Sequence, residues 1–192
     1  MKKAKVNKGQ IVIVSGPSGA GKSTICQRVV EMLDEACLSV SVTTRPKSKT
    51  EKDGIDYWFI SKKEFQDRID KGLLLEYANV FGNMYGTPKD KVDEILKAGK
   101  IIILEIDVQG ARQVKAVYPD AIMIFILPPS EKVLAERIAN RGRDSSDSVE
   151  LRLDGANAEI AAARQYYEHM VVNEDLQQAV NTCVQIIRQA RA

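Results

Sequence analysis

Hydrophobic positions along the chain alternate between short β-branched runs and stretches with helical spacing. Gln10–Ser15 (QIVIVS) is a run of the first kind, and Lys22–Asp34 behind it sets Ile25, Val29, Met32 and Leu33 along one helical face. Lys100–Ile106 (KIIILEI) and Ala121–Leu127 (AIMIFIL) are apolar on both faces, as central parallel strands are, and Pro128-Pro129 ends the second. A helix from about Gln109 to Tyr118 between them completes a βαβ crossover. His169–Asn173 reads as a last strand, and Leu176–Arg191 as a closing helix with Leu176, Ala179, Val180, Cys183 and Ile187 on one stripe. The pattern predicts an α/β fold of three layers, a parallel central sheet covered by helices.

Two segments break the rhythm. Residues 39–88 are rich in Lys, Gly, Tyr and Thr and read as short strands around one helix, Lys62–Lys71. Their polarity predicts an insertion facing solvent or ligand. Trp58 and Phe59 follow Tyr57 in a strand-like run, where they are expected to pack while Tyr57 serves chemistry. Glu131–Gln165 is helical with a break at Gly142–Ser146 and carries Arg137, Arg141, Arg143 and Arg152.

Composition narrows the classes. In 192 residues, 44% are hydrophobic and 28% charged, enough apolar material for a core and incompatible with wholesale disorder. The balance of 28 basic against 26 acidic residues leaves a net charge of +2, too even for a chain that binds chiefly phosphate backbone. Nucleic acid is not the expected partner. No apolar run approaches the ~20 residues that span a bilayer, so no membrane partner is expected either. Three widely spaced cysteines (Cys26, Cys37, Cys183) suit reduced thiols in the cytoplasm. With His169 as the one histidine and no Cys/His cluster, a transition-metal site is not expected, and His169 reads as structural.

The candidate chemistry begins at Gly16-Pro17-Ser18-Gly19-Ala20-Gly21-Lys22-Ser23, which matches G-x-x-x-x-G-K-[ST] between a strand and a helix. The glycines let successive N–H groups turn toward one anion, and the helix N-terminus adds its positive end. Lys22 would reach the outer phosphates of a nucleoside triphosphate, and the Ser23 hydroxyl would ligate Mg²⁺. Asp107 closes the KIIILEI strand, where P-loop proteins often carry an acidic residue serving the metal. Asp107-Val-Gln-Gly110 also has the D-x-x-G form of a GTPase switch, but no guanine-reading Asn-Lys-x-Asp segment follows a later strand.

The insertion then supplies Ser41-Val-Thr-Thr-Arg45, Asp53-Gly-Ile-Asp-Tyr57-Trp-Phe59, Leu75-Glu76-Tyr77 and Gly82-Asn-Met-Tyr85-Gly86-Thr87. Together with the P-loop, these resemble the guanylate kinase family of nucleoside monophosphate kinases, over most of the chain. The resemblance implies Mg²⁺-dependent transfer of the ATP γ-phosphate to GMP, with dGMP as a further acceptor, a step in recycling GMP and in purine nucleotide metabolism. It implies ATP binding by Gly16, Pro17, Ser18, Gly19, Ala20, Gly21, Lys22, Ser23 and Thr24, with Asn173 near the adenine. Arg45, Tyr57 and Tyr85 fall where the family binds the GMP phosphate. Glu76 falls where it reads guanine, whose N1–H and N2–H₂ one carboxylate accepts side by side and adenine cannot match. Ser41 and Thr87 would meet O6, and Asp107 the N1/N2 edge, which gives Asp107 two claimed roles.

By the same resemblance Arg141 and Arg152 close over the transferring phosphoryl group, with Arg137 beside the donor phosphates, so Lys22, Arg45, Arg137, Arg141 and Arg152 form the catalytic set. The implied division is a P-loop core (1–38, 89–130 and 160–192), a GMP-binding insertion (39–88) and a lid (131–159). The chain departs from the family at Ser48, where a second phosphate-binding arginine is usual; Lys47 and Lys49 flank it as point donors. The alternative is a guanylate-kinase-like interaction module, which is expected to have lost cradle or acceptor residues that this chain keeps.

Overall fold

The computed structural model describes residues 8–80, 82–139 and 146–191, the side chains of 146–152 and 154 excepted. The chain opens with β1 (Gln10–Ser15), α1 (Lys22–Met32), β2 (Ala36–Leu38), β3 (Val42–Thr43) and β4 (Trp58–Phe59). It continues through α2 (Lys62–Asp70), β5 (Leu74–Val80), β6 (Asn83–Pro88) and α3 (Lys89–Lys97). After β7 (Ile101–Glu105) come α4 (Val108–Val117), β8 (Ile122–Leu127), α5 (Glu131–Ala139), α6 (Ser146–Tyr166), β9 (His169–Val172) and α7 (Leu176–Arg191). The periodic elements appear where the pattern puts them. The expected break at Gly142–Ser146 lies outside the described residues except for Ser146, which opens α6. β2 and α3 are additions; α3 buries Val92, with Ile95 and Leu96 half-buried on the same stripe of an otherwise charged helix.

The chain divides into two compact units. Among the described residues, the first comprises 8–11 and Glu35–Ala121 without residue 81. In it β2 pairs in parallel with β7, Ala36 opposite Ile101 and Leu38 opposite Ile103. A separate four-stranded sheet, in order β4-β3-β6-β5, is antiparallel except for the β3–β4 pair. It realises the short strands expected around one helix. That helix, α2, starts because the Ser61 hydroxyl accepts the Glu64 N–H at 3.1 Å, a Ser-x-x-Glu cap. It buries Phe65, whose ring lies so close to Gly86 that a Cβ there would come within 3.2 Å. Along β5, the Gln113 amide of α4 donates to Tyr77 O at 2.8 Å and accepts the Tyr77 N–H at 3.2 Å, tying helix to strand.

Trp58 corrects the expectation of packing. It is 43% exposed, because β4 is a two-residue edge strand with one face to solvent. The indole lies over Gly54, where a Cβ would meet it at 2.9 Å. Phe59 stays half-buried, with its ring edge-on to Tyr57 at 5.9 Å.

The second unit comprises Val12–Asp34 and the chain from Ile122 onward. β1 pairs in parallel with β8 (Val12 opposite Ile122, Ser15 opposite Phe125) and β8 with β9 (Ile124 opposite His169). Val12, Ile13, Ile124, Phe125 and Ile126 are fully sequestered, as strands covered on both faces require. Each such side chain contributes roughly 1.5–3 kcal/mol by leaving water. α1 packs on α7; α1 buries Ile25, Cys26 and Val29, and α7 buries Ala179, Val180, Cys183, Val184 and Ile187. Leu134, Ile138 and Ala156 form a smaller core between α5 and α6, with Leu153 against it. The architecture is α/β with parallel strands as its frame.

Candidate active site

The P-loop leaves the C-terminal end of β1 in a conformation that only glycine tolerates. Gly16 has φ 148° and lies against β8, where a Cβ would sit 2.4 Å from Ile126 O. Gly19 (φ 91°) faces α5: a Cβ there would meet Leu134 Cδ1 at 3.2 Å and Arg137 Cβ at 3.7 Å. Arg137 is therefore rooted beside the loop, half-buried, in the last turn of its helix. Gly21 (φ 94°) is the left-handed N-cap of α1. Lys22 folds back, with Nζ donating to Gly16 O at 2.5 Å and Pro17 O at 3.1 Å. Ser23 and Thr24 follow in the first turn of α1, exposed.

Asn173 follows β9 and is buried. Its N–H donates to Leu127 O at 2.8 Å and extends the parallel ladder, while its side-chain amide donates to Ala20 O at 2.8 Å. A Cβ on Gly21 would come within 2.3 Å of that amide nitrogen. The asparagine therefore braces the phosphate loop as well as ending the strand, a contact that its sequence position does not announce.

The residues read as the acceptor set lie in the other unit. Glu76 on β5 is 3% exposed, and its Oε1 accepts the Thr87 hydroxyl of β6 at 2.6 Å. Burial pushes this carboxyl up to about 7; the Thr87 hydroxyl draws it down and the nearby Asp107 charge raises it. Gly110 in the first turn of α4 makes room for Glu76, since a Cβ would stand 2.3 Å from Oε2. Thr87 is fully buried and commits its one hydroxyl proton to Glu76.

Asp107 is the N-cap of α4. Its Oδ1 accepts the Gly110 N–H at 2.9 Å and its Oδ2 the Gln109 side-chain amide at 3.1 Å. Burial raises its carboxyl, and these donors oppose the rise. Capping is thus a third role for a residue that sequence assigned to base or metal.

Arg45 leaves the end of β3, held by paired threonines. Thr43 Oγ1 donates to Met84 O at 3.0 Å and accepts the Arg45 N–H at 3.1 Å, and Thr44 Oγ1 accepts the Met84 N–H at 2.9 Å. Arg45 Nε donates to the Tyr85 hydroxyl at 3.2 Å, and its guanidinium carbon lies 5.4 Å from the Tyr57 ring centre and 5.7 Å from that of Phe59. Tyr57 and Tyr85 meet edge-on at 5.9 Å. Burial, helped by Glu105, pushes the Tyr57 phenol up to about 12, so it stays a donor at neutral pH. Ser41 stands just before β3, where its carbonyl accepts the Trp58 N–H at 2.9 Å.

Sequence reasoning missed Glu51, which takes the Arg45 fork at 2.6 Å and 3.1 Å. It also missed Gly110 and Gln113. Arg141 lies outside the described residues, and Arg152 is placed in α6 by its backbone alone. Among the described residues no cluster of His, Cys, Asp and Glu could cage a metal. No described helix is long and apolar enough to cross a membrane.

A glycine phosphate cradle at the end of a parallel strand, with a lysine and a hydroxyl opening the next helix, defines a P-loop nucleotide-binding protein. A buried carboxylate, Glu76, and an arginine–tyrosine cluster, Arg45 with Tyr57 and Tyr85, lie in the other unit. The chain belongs to the guanylate kinase family: the family model for guanylate kinase matches residues 8–190. Similar proteins include the guanylate kinase of Carboxydothermus hydrogenoformans, 47% identical over 92% of this chain and 86% of that one. The guanylate kinase of Synechocystis is 46% identical over 94% of both chains. The crystal structure of guanylate kinase from Anaplasma phagocytophilum superimposes with a TM-score of 0.81 at 32% identity, covering 96% of this chain and 87% of that one.

Proposed function

We propose that the chain transfers the γ-phosphate of ATP to GMP, giving ADP and GDP. The observation that carries the reading is Glu76, a carboxylate held away from water by Thr87 and by the space over Gly110. Such a group is stable as an anion only when donors reach it, and guanine brings two in adjacent positions. Asp107 and Ser41 complete the base contacts, and Thr87 meets O6 by turning its one hydroxyl proton away from Glu76, which the guanine N–H donors then satisfy. Arg45, Tyr57 and Tyr85 take the GMP phosphate, whose second ionisation near ~6 leaves a nucleophilic oxygen already deprotonated at pH 7. No general base is needed. The same acceptor set would take dGMP.

On the donor side, the loop from Gly16 to Thr24 would wrap the ATP phosphates, and Asn173, which braces that loop through Ala20 O, would contact the adenine by its backbone or its remaining amide group. Lys22, released from Gly16 O and Pro17 O, moves its charge to the outer phosphates. Mg²⁺ fits this site as a companion of the nucleotide: the exposed Ser23 hydroxyl lies in the first turn of α1 beside a cradle that a Cβ would fill. When bound with ATP, it neutralises charge on the transferring phosphoryl group. Arg137, Arg141 and Arg152 supply the remaining cations, Arg141 and Arg152 from a lid (131–159) that excludes water while the insertion (39–88) carries the acceptor. Three free cysteines suit a reducing compartment, the cytoplasm.

An acceptor panel tests the reading. Coupled ADP release with GMP, dGMP, AMP and UMP should give turnover with the two guanine nucleotides and little with the others. Equal rates with AMP would refute the role of Glu76.

A further inference from the structure

The Arg45 guanidinium has five N–H donors in a fixed plane. Four are already engaged: Nε with the Tyr85 hydroxyl at 3.2 Å, one terminal nitrogen with Pro46 O at 3.0 Å and Glu51 Oε2 at 3.1 Å, the other with Glu51 Oε1 at 2.6 Å. One N–H remains. The Arg45 and Glu51 side chains are only 24% and 17% exposed, and the guanidinium lies over Tyr57 and Phe59. Glu51 Oε2 also accepts the Ser48 N–H at 2.8 Å. One carboxylate therefore fixes the arginine fork and the backbone of the position where the family usually carries its second arginine. The pair is strong: Arg45, aided by the Ser48 N–H, holds the Glu51 carboxyl down to about 2.

We propose that Glu51 is a positioning residue for the acceptor phosphate, orienting Arg45 and closing the 45–51 turn so that the remaining N–H and the positive charge are set before GMP arrives. This rests on the reading of Arg45 as a GMP-phosphate ligand. The opposite role, an internal anion competing with the phosphate, fits the contacts less well. Displacing Glu51 from Arg45 would leave a carboxylate that is only 17% exposed with Ser48 alone to donate to it. It would also release a polar turn that Glu51 ties together at both ends. Preorganisation matters more here because Ser48 brings no second fork to share the phosphate.

The two roles move the GMP constant in opposite directions, which makes the test decisive. Initial rates of the full chain, with GMP and ATP varied in turn, should show Glu51→Gln raising KM for GMP about tenfold while KM for ATP changes less than twofold. Competitive inhibition by guanosine, which lacks the phosphate, should be unchanged. Should the glutamine variant not fold, Glu51→Asp keeps the charge one methylene short and should raise KM for GMP by a smaller factor. An unchanged or lowered KM for GMP, or a parallel loss of guanosine inhibition, overturns the proposal. Arg45→Lys separates the layers. If it impairs GMP use while the Glu51 variants do not, only the positioning role fails; if it too is silent, the reading of Arg45 fails and the proposal with it.

Discussion

Replacing Glu76 by glutamine should make the protein more stable at pH 8 while removing most of its activity with GMP. The carboxyl is 3% exposed and its value is pushed from 4.5 to about 7, by burial first. That displacement corresponds to roughly 3 kcal/mol. Because the folded value lies above the unfolded one, the contribution is full below 4.5 and is lost as pH rises through about 7. At pH 8 the native protein thus carries an ionised buried group at its maximum cost. Glutamine keeps an acceptor for the Thr87 hydroxyl and cannot ionise, but its new N–H₂ beside Gly110 needs a partner, which takes back about 1–2 kcal/mol. The net gain at pH 8 is about 1–2 kcal/mol, or ~2–8 °C in Tm for a chain of this size. Near pH 4.5 the wild-type group is already protonated, so that gain is gone and the amide's cost of about 1–2 kcal/mol should leave the variant the less stable of the two. If Glu76 reads guanine as proposed, the same change turns one of its two acceptors into a donor facing a donor, and kcat/KM for GMP should fall about a hundredfold or more. Scanning fluorimetry at both pH values and initial rates at pH 8 read the two effects. A Tm lowered equally at both pH values, or undiminished kcat/KM, would show that Glu76 is neither a costly buried anion nor the guanine reader.

Three further substitutions probe the contacts around this picture. Gly110→Ala would drive a methyl to 2.3 Å from Glu76 Oε2, so KM for GMP should rise about tenfold with KM for ATP nearly unchanged; equal effects on both substrates would argue against it. Gly21→Ala forces an L side chain to φ 94° and against the Asn173 amide, and should lower Tm by several degrees while raising KM for ATP; a neutral Tm would contradict the brace. Ser48→Arg places a second fork on the turn that Glu51 already holds, so KM for GMP should fall several-fold, and an unchanged value would mean that one arginine suffices.

The elements with strong periodicity were legible from the residues alone. β1 and α7 have the limits that their patterns predict, and the P-loop's glycines adopt the left-handed geometry that their spacing requires. Of the elements that escaped, β2 has only three residues, too few to show a period, whereas α3 sets Val92, Ile95 and Leu96 at i, i+3 and i+4, a helical stripe that was legible in its charged stretch. At the candidate site the residue types were readable but their commitments were not. Thr87 and Glu76 lie eleven positions apart and meet only because β5 and β6 pair. Glu51 reaches Arg45 by the path of a polar turn, which has no periodic signal. The Asp107 cap was legible, since an aspartate at a strand–helix junction three residues before Gly110 suits an N-cap. Trp58 shows the reverse error: an aromatic in a strand-like run looks like core until the strand proves to be a two-residue edge.

The account stands on the fate of one phosphoryl group. Incubating the chain with Mg²⁺, GMP and ATP labelled at the γ-phosphate should move the label into GDP, with one ADP formed for each GDP. Label appearing in inorganic phosphate while GMP is recovered unchanged would contradict it.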